Sequence, residues 1–406
     1  MSSGIALIIS LIVIAAFLGA ALLFWYAFRF EITNFQLARN TIYLRSGSEK
    51  INLDKESDSL AGDSINGKTV SNDLSGAANS LPSLKILHLS DFHLRTDFKG
   101  KKLEEFIAAL APERYDFIFI TGDMIEKNEL QDELIEMLKP LKAKYGIYAV
   151  FGAHDYYNKK PQEFIKNMFK KKESYSRKND TSGLRKKLES IGIHVLQNES
   201  IILKDIAGYD EIDIVGVDDP LINKMDLKKS LSSVFKDLSD IKILDVSNKN
   251  LSSADLNNSD NYSEESYLVE DELKIQQNNY LAETEGVLKT KEYAQEFSSS
   301  MNKYHELNEN NKLRIALIHT PDSYALVNLA INKIDIVFAG HTHGGQVRLP
   351  AVGALISGCN LKTKYAAGLF YFKNFVLQVS KGLGEGRFSR FRIYCDPEAI
   401  ITTVSH

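Results

Sequence analysis

The chain has 406 residues, of which 44% are hydrophobic, and a formal net charge of −4. This length is sufficient for one large domain or two average ones, and the slight acidity argues against a general affinity for nucleic acid. The two cysteines, Cys359 and Cys395, have neither C-x-x-C spacing nor metal-site spacing, which indicates ordinary thiols.

The N-terminal segment is strongly apolar. No charged side chain occurs between Met1 and Phe28, and this run is long enough to cross roughly 30 Å of hydrocarbon. Trp25 and Tyr26 at its end are typical of a membrane interface. A cleaved signal peptide would have a basic start and a shorter apolar stretch. We therefore predict a single-pass transmembrane helix within residues 1–30.

The residues that follow this anchor predict its orientation and a linker. Basic side chains occur only after the apolar run, the first of them being Arg29, Arg39 and Arg45. By the positive-inside rule, the bulk of the protein is predicted to be cytoplasmic. Residues 31–83 are predicted as a membrane-proximal segment and flexible linker, because 46–80 is rich in Ser, Asn, Asp and Gly.

From residue 84 onward, apolar strands alternate with amphipathic helices. Strand-like runs occupy 85–90, 116–121 and 146–151, and helical runs occupy 101–110 and 131–145. This alternation predicts an α/β fold with βαβ crossovers. In such sheets the functional residues gather at the carboxyl ends of the strands.

Two further apolar runs, 313–318 and 334–338, are also strand-like. Carboxylates and imidazoles follow these two runs and the three strands named above. In chain order they are Asp91 with His93, Asp123, His154 with Asp155, His319, and His341 with His343. A single His at the end of a strand is more often a core or capping residue than a metal ligand. The joint pattern, with five of the nine histidines at strand ends, instead predicts a metal site.

The ordered series Asp91-x-His93, Gly122-Asp123, Gly152-x-His154-Asp155, His319 and Gly340-His341-x-His343 resembles the calcineurin-like metallophosphoesterase superfamily. It resembles the membrane-anchored bacterial branch in particular, from about residue 84 to residue 404. The resemblance implies two packed mixed β-sheets flanked by helices, a four-layer sandwich that follows the transmembrane helix. The phosphoesterase domain would occupy 84–406, with insertions near 159–187 and 246–312.

The resemblance also implies roles for the residues at the strand ends. Asp91, His93 and His343 would hold a first divalent metal, His319 and His341 a second, and Asp123 would bridge both. Mn, Fe or Zn suits such ligands, and a metal-bound hydroxide would attack the phosphorus atom. His154 would stabilise the transition state or protonate the leaving oxygen, with Asp155 as a partner for its ring.

One position departs from the family pattern. The family has Asn between the Gly and the His of the third motif, where this chain has Ala153, whose methyl group cannot bind a metal. Three outcomes are open. The second site is weakened and completed by water or substrate, or the enzyme works with one tightly held metal, or catalysis is lost.

The predicted function is a membrane-anchored, metal-dependent phosphoester hydrolase. Its substrate is expected to be a phosphodiester or pyrophosphate, including a lipid-linked one such as UDP-2,3-diacylglucosamine of lipid A biosynthesis. The alternative is a non-catalytic membrane protein that retains the metal-binding fold for partner binding. The basic segment 159–187 is either a cap over the site or a solvated helix, and 246–312 has the composition of a surface excursion. No nucleic-acid partner is expected, and the oligomeric state is left open.

Overall fold

The computed structural model describes residues 2–45, 83–167, 175–235, 237–243, 305–307, 311–372, 374–386 and 389–405. The predicted linker lies outside these residues except at its ends, and so does most of the predicted excursion at 246–312. The predicted insertion at 159–187 is described up to residue 167 and again from residue 175.

The helices and strands follow one another in an α/β order. The first part of the chain contains α1 (Ser2–Trp25), β1 (Gln36–Arg45), β2 (Leu84–Leu89), α2 (Phe98–Leu110), β3 (Phe117–Thr121), α3 (Gln131–Leu138), β4 (Ile147–Val150), α4 (Ala153–Tyr156), α5 (Pro161–Asn167), α6 (Thr181–Ser190), β5 (Ile193–Val195), β6 (Glu199–Ile206) and β7 (Tyr209–Val217). The remainder contains α7 (Leu227–Leu231), β8 (His305–Glu306), β9 (Lys312–Ile318), α8 (Ser323–Ile331), β10 (Ile336–Ala339), β11 (Arg348–Leu349), β12 (Gly353–Ala354), β13 (Gly368–Tyr371), β14 (Val376–Val379) and β15 (Glu398–Ser405).

Two mixed sheets form the centre of the fold. The first has the strand order β5-β4-β3-β2-β15-β1-β8, and the second has the order β13-β14-β10-β9-β7-β6. In the first sheet β15 runs antiparallel to β2, and in the second β13 and β6 run antiparallel to their neighbours. The prediction of two mixed sheets flanked by helices is confirmed.

Side chains alternate between the two faces of each strand, and the apolar ones form three separate core layers. In β3, Phe117 and Phe119 belong to the core between the sheets, whereas Ile118 and Ile120 belong to the core under α2, α3 and α6. A third core lies on the outer face of the second sheet, under α7 and α8. All three cores are needed because both faces of each sheet are apolar, so the order is helix, sheet, sheet, helix.

The N-terminal helix α1 ends against the sheet domain. It continues as a π-helical turn, Tyr26–Phe30, in which Phe28 stacks on Phe391 with 5.4 Å between the ring centroids. The backbone N–H of Arg392 donates to the carbonyl of Ala27 at 3.2 Å. The predicted N-terminal helix is thus present. Counting only the residues that the structure describes, no helix is long and apolar enough to cross a membrane.

The segment after α1 belongs to the first sheet. Strand β1 pairs in parallel with the last strand, β15, from Gln36 opposite Glu398 to Tyr43 opposite Ser405. Residues that the sequence assigned to a membrane-proximal segment therefore contribute a strand to the same sheet as β2, β3 and β4.

Candidate metal centre

The parallel strands bring the predicted residues to one edge of the two sheets. Strands β2, β3 and β4 of the first sheet deliver Asp91 and His93, Asp123, and His154, while β9 and β10 of the second deliver His319, His341 and His343. Three overlapping groups have ligand atoms within 4.8 Å of one another: Asp91, His93 and His343; His93, Asp123 and His154; and Asp91, Asp123 and His319. Of the six predicted metal ligands, only His341 lies outside these groups.

The backbone at this edge is held in a conformation that L-residues rarely adopt. Asp91, His93, Asp123, His341 and His343 all have positive φ, between 41° and 70°. Asp and His tolerate the left-handed region better than β-branched residues do, and such strain persists where the surroundings over-determine it. The turns after β2, β3 and β10 therefore aim polar side chains inward.

Two glycines of the motifs are required by close packing at the centre. A Cβ atom on Gly340 would lie 1.9 Å from Ser90 Oγ and 2.5 Å from Asp91 Oδ2. A Cβ atom on Gly152 would lie 2.3 Å from Asp123 Oδ1. The backbone of two strand ends thus approaches the carboxylates so closely that no side chain fits.

The hydrogen bonds of His93 show that its inner nitrogen carries a lone pair. Its Nδ1 donates to Glu126 Oε1 at 2.8 Å, so Nε2 of the neutral ring is an acceptor. That Nε2 lies 3.2 Å from His343 Nε2 and 3.5 Å from Asp123 Oδ2, and His343 Nε2 lies 3.7 Å from Asp91 Oδ1. Acceptors that converge in this way require a cation or a shared proton between them, so the donor set fits a metal ion.

His319 leads to the same conclusion in the other half of the centre. Its Nδ1 donates to the carbonyl of Thr121 at 2.7 Å, which leaves Nε2 as a lone pair. That Nε2 is buried 3.2 Å from Asp123 Oδ2 and has no hydrogen-bond partner among the described residues. Burial opposes charge on the ring, but Asp123 raises the pKa of His319 well above its usual value. The position favours positive charge, as a metal site does.

His341 is held by a backbone carbonyl at the edge of this half of the centre. Its Nε2 lies 3.0 Å from the carbonyl oxygen of Gly358, which can only accept, so Nε2 carries the proton. Nδ1 is therefore the one atom of the ring that could bind a metal. The ring itself stacks edge-on against His319 with centroids 5.2 Å apart, and its backbone N–H donates to Asp91.

Ala153 leaves the same half without the oxygen that the family pattern supplies. It begins helix α4, is 1% exposed, and its methyl group packs into the apolar core on the helix side of the first sheet. The position that would hold an amide oxygen is therefore part of the core. This half has two clustered carboxylates and one clustered imidazole, while the other has two imidazoles and a carboxylate.

Glu126, which sequence reasoning missed, connects His93 to His154. Its Oε2 lies 2.9 Å from His154 Nδ1, and its Oε1 accepts from His93. Burial raises the pKa of this carboxyl, but His154 and His93 outweigh burial and hold the pKa of Glu126 well below its usual value. The signal was available, since Glu126 follows Asp123 by three residues in the same strand-end loop.

Asp155 was expected to be a partner for the ring of His154, but its carboxylate binds backbone groups instead. Its carboxylate accepts hydrogen bonds from the backbone N–H groups of Gly152, Met124 and Ile125, at 2.9, 2.8 and 3.1 Å. These three backbone donors come from two loops, and they bind the Asp155 carboxylate in place of the His154 ring. Asp155 therefore ties the loop after β3 to the loop after β4, and Glu126 takes the place beside the imidazole.

The sequence of this part of the chain matches a known protein family. The sequence profile described as calcineurin-like phosphoesterase matches residues 84–345. The chain belongs to this family. The resemblance predicted from the strand-end motifs is confirmed, and the metallophosphoesterase fold implies divalent metal ions at the centre described above.

Three curated relatives illustrate the range of this family. The chain is 31% identical over 169 residues to the uncharacterised metallophosphoesterase YkoQ of Bacillus subtilis, which covers 41% of this chain and 54% of YkoQ. It is 36% identical over 90 residues to the phosphodiesterase YaeI of Escherichia coli, covering 22% and 32%. It is 25% identical over 361 residues to the UDP-2,3-diacylglucosamine pyrophosphatase LpxG of Chlamydia muridarum, covering 79% and 83%. The chain thus spans about half the length of YkoQ.

A buried chain of hydrogen bonds orients Asp91. Gln378 Nε2 donates to His88 Nδ1 at 3.1 Å, His88 Nε2 donates to Thr121 Oγ1 at 2.9 Å, and Thr121 donates to Ser90 Oγ at 2.8 Å. Ser90 in turn donates to Asp91 Oδ2 at 2.5 Å. Burial lowers the pKa of His88 to about 3, so this ring stays neutral and the direction of every bond is fixed.

A cavity borders the metal centre at Glu126. Its volume is about 370 Å³, which lies within the range of small-molecule sites. The loops after β2 and β3 and the segment before β15 line it, with Leu94, Arg95, Thr96, Asp97, Glu126, Lys127, Glu129, Leu130 and Arg390. The cavity therefore offers both cationic and apolar side chains beside the reactive edge of the sheets.

Proposed function

We propose that the chain is a phosphoester hydrolase that binds two divalent metal ions, one more tightly than the other, and cleaves a phosphodiester or pyrophosphate bond. The observation that carries the proposal is the convergence of imidazole lone pairs and carboxylate oxygens at His93, His343, His319, Asp91 and Asp123. Mn, Fe or Zn suits this mixture of nitrogen and oxygen ligands.

Each residue then has a role. Asp91, His93 and His343 would hold the first ion, His319 and the Nδ1 atom of His341 would hold the second, and Asp123 would contribute to both sites. Bound cations at this centre would neutralise the charge of the phosphate group and lower the pKa of a water molecule.

His154 is the proposed acid of the reaction. Glu126 contacts its Nδ1 and fixes the orientation of the ring, so that a proton can pass to the leaving oxygen. Burial lowers the pKa of His154, and the charge of Glu126 opposes this effect only in part. Asp155 supports the reaction indirectly, since it holds the two loops that carry Asp123 and His154.

A lipid-linked substrate and a membrane location extend this proposal. Described side chains of α1, such as Leu11, Phe17 and Leu22, are apolar and exposed, which suits a single-pass anchor with the catalytic domain on the cytoplasmic side. The similarity to LpxG over 79% of the chain favours a diphosphate-linked lipid such as UDP-2,3-diacylglucosamine.

Ala153 favours a second candidate, a membrane protein that retains the metal centre for partner binding without catalysis. The two candidates make different predictions for the purified full chain in detergent. We expect hydrolysis of bis(p-nitrophenyl) phosphate with Mn, Fe or Zn, loss of hydrolysis on chelation, and recovery when metal is restored. Absence of hydrolysis with every metal, in a protein that still binds one, would favour the non-catalytic candidate.

A further inference from the structure

The hairpin of β11 and β12 carries a patch of exposed apolar side chains. Leu349, Val352, Leu355 and Ile356 are between 43% and 68% exposed, although they lie within eight residues of one another. Single exposed apolar residues are ordinary on protein surfaces, whereas four of them in one short hairpin make that hairpin a candidate interaction site. We call these four residues the hairpin patch.

The hairpin patch adjoins the mouth of the metal centre. The backbone N–H of Leu355 donates to the carbonyl of Val347 at 3.3 Å, which closes the hairpin onto the loop that carries His343. Two residues after the patch, the carbonyl of Gly358 contacts His341 Nε2 at 3.0 Å. A molecule that covers the patch would therefore lie beside both histidines of this loop.

The hairpin is also connected to the end of α1. The backbone N–H of Arg348 donates to the carbonyl of Ile393, and the N–H of Ile393 donates to the carbonyl of Gln346, each at 2.9 Å. One residue before Ile393, Arg392 donates to Ala27 at the end of α1. The short segment 391–393 thus joins the hairpin to the end of the apolar helix through backbone hydrogen bonds.

Aromatic side chains surround this junction. Trp25, Phe28, Phe30 and Tyr394 are all exposed there. Aromatic residues of this kind are enriched where a protein crosses from hydrocarbon to lipid headgroups. Lys362 and Lys364 follow the hairpin along the chain and have the charge that anionic headgroups attract.

We propose that the hairpin patch enters the same bilayer as α1, so that the His341 and His343 side of the metal centre faces the lipid headgroups. This inference rests on the proposed function and names its substrate class, a phosphoester carried by a lipid that stays in the membrane during cleavage. The hairpin and α1 would then hold the domain at two points, which fixes the height of the centre above the hydrocarbon.

Tryptophan fluorescence in lipid vesicles tests this inference, because Trp25 is the single tryptophan of the chain. Val352→Trp is placed in a Trp25→Phe background and reconstituted in phosphatidylcholine vesicles, with and without brominated acyl chains. The matched control is Leu238→Trp in the same background, since Leu238 is 64% exposed, Val352 is 68% exposed, and Leu238 lies on a turn outside the hairpin. Ile356→Trp supplies a second reporter if the first variant is unstable.

The expected result is a blue-shifted emission from Val352→Trp that bromine quenches about as strongly as it quenches Trp25 in the natural chain. Leu238→Trp should be neither shifted nor quenched. Quenching of Trp25 without quenching of either hairpin reporter would overturn the inference, as would a blue shift that is independent of bromine, which would indicate contact with another protein molecule. Hydrolysis of a soluble diester by the same samples reports the proposed catalysis separately, so the two failures are distinguishable.

Discussion

The two halves of the metal centre share one backbone geometry and differ in the ligand atoms that they offer to a metal ion. In both, parallel strands end in residues of positive φ that direct short polar side chains to one edge. Each half has three side chains with clustered ligand atoms, which are Asp91, His93 and His343 in one half and Asp91, Asp123 and His319 in the other. In the half around His319, the ring of His341 is turned toward Gly358 and Ala153 contributes no oxygen. The strand ends can therefore keep their geometry when one ligand is lost, whereas the affinity for the second ion is expected to fall.

The largest expected loss of activity comes from the last motif, where the two histidines should differ in importance. His343→Ala removes a nitrogen that lies 3.2 Å from His93 Nε2 and opens the better-formed half. We expect a fall in kcat/KM on the order of 10³-fold and the loss of one metal per chain. His341→Ala should cost roughly 10- to 100-fold, because Gly358 occupies its Nε2 and its ring lies outside the clustered ligand groups. Steady-state kinetics with metal analysis compares the two, and equal losses would contradict the difference between the halves.

The next effect concerns Glu126, which holds one imidazole of the centre and the proposed acid. In Glu126→Gln, the amide oxygen can accept from only one of the two rings, so we expect a loss of activity of roughly 10- to 100-fold. Glu133→Gln on α3 is the matched control, because Glu133 is exposed and lies outside the lining of the cavity beside the centre. If both variants hydrolyse a soluble diester at the natural rate, Glu126 has no positioning role.

A gain is expected when the missing oxygen is restored. Ala153→Asn should raise the metal content toward two ions per chain, although packing a larger side chain at a buried position costs about 1–3 kcal/mol of stability. Ala153→Leu has a similar size and no ligand atom, so it measures the packing cost alone. Equilibrium dialysis with Mn provides the readout. Equal metal content in both variants would mean that the position does not face the second ion.

The smallest effect compares two buried hydroxyl groups, one in each half. Ser90→Ala removes the hydroxyl group that donates to Asp91 and accepts from Thr121, and it should lower the free energy of unfolding by about 1–3 kcal/mol. Thr320 Oγ1 is buried without a hydrogen-bond partner among the described residues, so Thr320→Val should be close to neutral. Denaturant titration measures both, and a larger cost for Thr320→Val would show that the second half is better ordered than we infer.

The sequence was sufficient to predict the strands that carry the site. Period and composition identify 85–90, 116–121 and 146–151, because these runs are buried on both faces. The second sheet could only be expected through the family resemblance. The position of β1 could not be predicted, since its partner lies more than 350 residues away and pairing at that distance leaves no local pattern.

Within the centre, sequence order was a poor guide to contacts between side chains. Asp155 is adjacent to His154 in the chain, yet it binds backbone N–H groups, whereas Glu126 reaches the ring from another strand. The orientation of His341 depends on a carbonyl 17 residues later in a loop. Motif spacing indicates which strand ends meet, and the competition among nearby donors and acceptors decides which side chains pair.

Titration of Mn into the metal-free full chain tests the central claim most directly. Bound metal and hydrolysis of a soluble diester are followed in the same samples. We predict two classes of site whose affinities differ by at least about tenfold, the factor given by 1.4 kcal/mol, with hydrolysis rising as the weaker site fills. Two sites of equal affinity, or no hydrolysis when both are filled, would contradict the account.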